Sequence, residues 1–157
     1  MKSYKTHSGY FLFSMVPNLL LEELKDTSDV SYTCSIIKMA SDCTFDDVLI
    51  AKIWNLLIDR NIHPSIREAS VHYLIKSQIS IEEVMLNKLL KVLVQDQKDE
   101  SKSFLVSAAL GLIVIKCPQE AKSTVFYIYN HFDKKNIQKY VITFVQFAQN
   151  QKLILFV

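Results

Sequence analysis

Residues 44–57 read TFDDVLIAKIWNLL and residues 80–93 read SIEEVMLNKLLKVL. Set side by side without a gap, the two agree in chemical type at nearly every position: a hydroxyl, an apolar residue, two acids, a valine, then a mostly apolar run with a shared lysine, Lys52 and Lys88. In the first, Val48, Ala51, Ile53, Leu56 and Leu57 recur at three- and four-residue intervals. In the second, Val84, Leu86, Leu89, Leu90, Leu93 and Val94 do the same, so each stretch is expected to be a helix. Thr44 with Asp47, and Ser80 with Glu83, fit the capping-box pattern at the start of those helices, with Asp replacing the usual Glu or Gln in the first. The paired acids suit the positive end of the helix dipole. Apolar residues cover more than one stripe, as expected of a helix that packs on more than one neighbour in a stacked array.

Each of these helices is followed by a polar break and a second apolar-periodic stretch. The first break, at Asn61 to Pro64, places Pro64 in the first turn, where its missing N–H does no harm. The helix after it carries Ile66, Ala69, Ser70, Tyr73 and Leu74 on one stripe. The second break is the charged run DQKDESK, Asp96 to Lys102, and the stripe beyond it is Phe104, Ser107, Ala108, Gly111 and Leu112. Small residues at matching places, Ala69 and Ser70 against Ser107 and Ala108, mark faces where helices approach closely. Pro118 opens a third unit, whose second helix has Ile137, Tyr140, Val141, Phe144, Val145 and Ala148 as its stripe. A degraded pair precedes the first clear unit. The expectation is an all-α, α-α superhelix of about four stacked antiparallel helical hairpins, a HEAT/ARM-like solenoid forming a single domain over 1–157. Its units are about 16–43, 44–79, 80–117 and 118–152, after an irregular segment 1–15. A tetratricopeptide array is disfavoured because its aromatic and glycine signature is absent.

Composition agrees with this reading. The chain has 157 residues, half of them apolar and 22% charged, with two glycines and three prolines, too few for the many turns of an all-β fold. The net charge of +2 is spread along the chain without a basic stripe, which argues against nucleic acid as a partner. The longest run without a charge, residues 103–115, is too short to span a bilayer and is expected to be a core helix. Early lysines and an apolar patch at the N-terminus lack the small-residue cleavage site of a secretory signal. A cytoplasmic setting is the default reading. Three cysteines, Cys34, Cys43 and Cys117, are an odd number without repeated spacing, and buried thiols are expected, with a Cys34–Cys43 bridge the alternative in an oxidising compartment.

No catalytic constellation is visible. His7, His63, His72 and His131 are scattered without metal-ligand spacing. Cys117 has no base partner in view, and Asp46–Asp47 and Glu82–Glu83 are explained by their places in first turns. Gly9 and Gly111 alone cannot build a phosphate loop or a serine elbow. No enzyme activity, cofactor or metal is expected. The remaining candidates concern binding. Asp96, Lys98, Asp99, Glu100 and Lys102 form an interhelical loop of the kind that lines one edge of a solenoid and contacts partners. Trp54 is expected in the core, and the apolar residues 153–157 would need a cover.

Residues 63–110 also resemble the α-helical domain of the large lipid transfer protein family, which includes vitellogenin, apolipoprotein B and the microsomal triglyceride transfer protein. The matching residues are Pro64, Ile66, Arg67, Ala69, Ser77, Ser80, Ser103, Phe104 and Ser107. His63 stands where the family commonly has an acid, Ile79 where it has a proline, and the connection before Ser103 is longer by about two residues. The resemblance implies a curved two-layer helical wall that supports lipid-binding sheets and makes subunit contacts, and hence a secretory setting. It makes lipid a possible ligand beside a protein partner. The sheets themselves do not fit in this chain.

Overall fold

A computed structural model describes residues 16–151; the expected irregular segment 1–15, His7, Gly9 and the apolar residues 153–157 lie outside them. The described residues are helical without a strand. Residues 16–23 form α1, followed by α2 (Val30–Cys43), α3 (Asp47–Ile58), α4 (Pro64–Lys76) and α5 (Glu83–Asp96). A 3-10 turn, Glu100–Lys102, leads into α6 (Ser103–Lys116), and another, Pro118–Glu120, into α7 (Ala121–His131) and α8 (Lys134–Asn150).

The helix starts differ from the capping-box expectation. Asp46, not Thr44, caps α3, its Oδ1 accepting from the N–H groups of Val48 (3.0 Å) and Leu49 (3.3 Å). Thr44 is occupied elsewhere: its N–H donates to Ala40 O at the end of α2, and its carbonyl accepts from the Tyr73 hydroxyl at 2.8 Å. Glu82 holds the corresponding place before α5 and makes no side-chain cap bond, because its carboxylate sits one methylene farther out than the short Asp that suits this position. Pro64 stands in the first turn of α4 as expected, behind His63, whose Nδ1 accepts from Ser65 N at 3.1 Å.

The even-numbered helices pack in succession, α2 on α4, α4 on α6 and α6 on α8, while α3 lies against α4 and α5, and α7 against α8. Burial follows from that order. In α6, between two neighbours, eight residues are buried, among them Leu105, Val106, Leu110 and Ile113, as its uncharged sequence requires. Gly111 permits the approach of α8: a Cβ there would meet the Phe147 ring at 3.0–3.3 Å. In α3 the buried face is Leu49, Ile50, Ile53, Trp54, Leu56 and Leu57, which places Trp54 in the core. Val48 and Val84, expected on the apolar stripe, are 62% and 66% exposed, and Phe104 is 80% exposed. Where a helix is apolar over most of its circumference, periodicity does not fix which side turns inward; the neighbouring helices do.

Several cross-links join residues one repeat length apart. Arg60 Nε donates to Asp96 Oδ1 (3.4 Å), Cys117 Sγ approaches Ile81 O (3.7 Å), Asp133 N donates to Gln97 Oε1 (3.4 Å), and Lys139 Nζ donates to Ser103 Oγ (2.7 Å); every one of these pairs is separated by 36 residues. Four contacts thus recur at the 36-residue spacing that separates the two matching stretches.

Tyr73 ties α4 to the start of α3 through its bond to Thr44 O. Burial, with a smaller contribution from the Asp46 charge, pushes its hydroxyl up to about 12. A tyrosine whose folded-state pKa exceeds its unfolded value of about 10 adds stability that is complete below pH 10 and disappears as pH rises towards the folded value. Tyr73→Phe is therefore expected to cost about 1 kcal/mol at neutral pH through the lost hydrogen bond. It should also flatten the fall in urea midpoint between pH 10 and 11.5 relative to the parent chain.

Candidate functional site

The five loop residues expected to meet a partner have separate roles. Asp96, the last residue of α5, is fully buried, as is Arg67 in the first turn of α4. The two form a bidentate pair, Nη1 to Oδ1 at 3.0 Å and Nη2 to Oδ2 at 2.6 Å. Arg67 Nε donates to Leu57 O at 2.7 Å, satisfying one of the carbonyls left open at the end of α3. One guanidinium thus joins the ends of α3, α4 and α5. Asp96 is withdrawn from any partner, a correction to its assignment as a contact residue, because burying a lone arginine demands a counter-charge beside it.

Two further cations converge on the same carboxylate oxygen: Arg60 Nε at 3.4 Å and Lys102 Nζ at 3.7 Å. Lys102 is mostly turned inward, 16% exposed, whereas Arg60 keeps 46% of its side-chain surface. Asp99 accepts from Ser101 N (2.9 Å) and Ser101 Oγ (2.7 Å), which builds the 3-10 turn that brings Lys102 inward. Those bonds, with the Lys102 charge, hold its carboxyl below the usual carboxylate range. Lys98 lies 3.9 Å from Asp133 in the next hairpin, and Glu100 faces solvent. Lys98, Asp99 and Glu100 are thus the exposed acids and bases of this loop, and Arg60, in the loop after α3, is exposed as well.

Arg60 and the buried role of Arg67 were not singled out for this site from the sequence. The spacing contained a usable signal, since Arg60 and Asp96 stand one repeat apart at the ends of corresponding helices.

A groove of about 570 Å³ runs between α2 and α4. Its lining includes the buried Tyr73 and the half-buried Cys34 and Ala69, with Lys38, His72 and Lys76 exposed. Burial, and then the Glu68 charge, push the Cys34 thiol up, which keeps it in the unreactive protonated form. All three cysteines are free. A Cys34–Cys43 bridge is ruled out, because both stand on α2, where nine residues of helix separate their Cα atoms by about 13 Å, and a disulfide requires no more than about 7 Å. Among the described residues no three His, Cys, Asp or Glu side chains are placed to hold a metal ion, and no single helix is long and apolar enough to cross a membrane. The described residues thus present paired charges, an exposed charged loop and a groove with Cys34, Ala69 and Tyr73 in its lining. Compared with family models, with curated proteins and with solved structures, the chain matches none.

Proposed function

We propose that the chain is a non-enzymatic helical-repeat scaffold, a right-handed array of HEAT-type hairpins akin to the helical domain of lipid transfer proteins, and that its loop edge takes a protein partner. The observation that supports this reading is the recurrence of contacts between residues 36 apart in the chain, which suits a stack of hairpins each leaning on the next. The exposed charges of that edge, Arg60, Lys98, Asp99 and Glu100, suit a polar protein surface.

Capture of a partner from a lysate, repeated after replacing Lys98, Asp99 and Glu100 together with serine, tests the edge. Asp96 and Lys102 stay untouched so that the fold persists. A loss of at least tenfold in recovered partner is expected; undiminished capture would remove this edge from the reading.

A lipid ligand, and with it a part in lipid or lipoprotein transport, is favoured by one observation, the groove between α2 and α4 with Cys34, Ala69 and Tyr73 in its lining. Native mass spectrometry of the purified chain would detect such a ligand directly. A bound mass lost on Ala69→Trp would place it there, and a bare chain would count against lipid.

A further inference from the structure

We infer that Arg60 and Lys102 form a notch for a phosphate monoester carried by a protein partner, an assignment that rests on the scaffold reading and names the chemistry recognised at its loop edge. Three cations surround one carboxylate. Arg67 saturates Asp96 with two short bonds, so the charges of that pair cancel, and both are fully buried. Arg60 and Lys102 reach the same oxygen only at 3.4 and 3.7 Å, and the second distance is too long for a hydrogen bond.

Among the described residues their remaining donors have no hydrogen-bond partner: four of the five on the Arg60 guanidinium and all three on the Lys102 ammonium. Because both approach Asp96 Oδ1, the two nitrogens lie no more than about 7 Å apart. A tetrahedral oxyanion accepting one charge-assisted bond of about 2.8 Å from each spans that gap. The charge arithmetic selects the class. Arg60 and Lys102 bring two positive charges beyond the neutral Arg67–Asp96 pair, with the exposed Asp99 carboxylate near Lys102, and a phosphate monoester at about −1.5 to −2 at neutral pH competes for both cations better than a carboxylate at −1.

The other carboxylates of the two loops are Asp59, Asp99 and Glu100, and Glu100 faces solvent in the same 3-10 turn as Lys102. Asp59 and Asp99 are both exposed, and each has an oxygen engaged by a local backbone N–H, Asn61 N and Ser101 N, both at 2.9 Å. Arg60 comes from the loop after α3 and Lys102 from the turn before α6, so an oxyanion held by both would also clamp two successive hairpins. That arrangement suits a phosphorylated serine or threonine presented to the edge of the array.

The test is a titration of the full chain with inorganic phosphate and with O-phosphoserine, followed by melting temperature and calorimetry at ionic strength matched with sodium chloride. Sodium acetate and vesicles containing phosphatidic acid are run in parallel. Phosphate and O-phosphoserine are expected to raise Tm by about 4 °C at ten times their dissociation constant. Acetate should bind at least tenfold more weakly. The double variant Arg60→Gln with Lys102→Gln should lose the phosphate increment, and Lys88→Gln with Lys91→Gln on α5 should retain it. If the double variant does not fold, Arg60→Gln alone, at a half-exposed position, should weaken phosphate at least fivefold.

No phosphate-specific shift, an equal response in the Arg60 variants, or acetate as strong as phosphate would overturn the assignment. Binding confined to the vesicles would reassign the notch to a lipid headgroup and overturn the protein-borne source. None of these results depends on partner capture, so the notch and the scaffold can fail separately.

Discussion

Asp96→Ala is expected to lower unfolding stability by about 3–5 kcal/mol, the largest effect of any single substitution at the loop edge. The loss is electrostatic. With Asp96 gone, Arg67 remains fully buried with the Leu57 carbonyl as its one remaining partner, and Arg60 and Lys102 face each other across the vacated oxygen. Removing both charges should behave differently: Arg67→Met with Asp96→Leu deletes the need for compensation and should recover most of the loss, since a buried pair replaced by apolar residues of similar volume is often neutral. Urea unfolding followed by circular dichroism of the single and double variants measures this. A single variant within 1 kcal/mol of the parent chain would mean that water reaches Arg67 and that the pair does not join the hairpins.

Phe144→Ala is expected to cost about 3–5 kcal/mol in a different way. Phe144 is fully buried on α8, the last of the even-numbered helices in the row, which packs on α6 and α7. The cavity left by a phenyl ring therefore falls where α8 packs on α6 and α7. In the proposed stacked array each unit is stabilised by its own packing and by its neighbour, so the loss should be local first. Hydrogen exchange should speed up across α7 and α8 by at least two orders of magnitude, while α3 and α4 change little. Uniform acceleration over the whole chain would show a single cooperative core instead.

Much of the fold was legible in the sequence because the repeat is carried by residues whose spacing has only one reading. The all-helical class, the break at Pro64, the burial of Trp54 and the charge-free core helix α6 follow from period and composition. The phase of the helices was not legible. Val48, Val84 and Phe104 belong to runs that are apolar on several sides, and only the neighbours select Leu49, Ile50 and Leu105 for the interior. Helix starts were misplaced for a related reason: Thr44 carries a suitable capping group, but its backbone is used by Ala40 and Tyr73.

The candidate site was legible as a loop and not as a set of roles. DQKDESK reads as a solvated charged run, and four of its residues, Lys98 to Ser101, are exposed in the fold. Asp96 and Lys102 bound the same run, yet they turn inward. Local sequence determined this protein's helices and the spacing of their apolar residues, because backbone hydrogen bonding and apolar spacing are satisfied within a few residues. Tertiary structure alone decided which charges are buried and which stay exposed. That outcome depends on Arg67, 29 residues away in the chain, whose burial in a low-dielectric interior requires a carboxylate at its side.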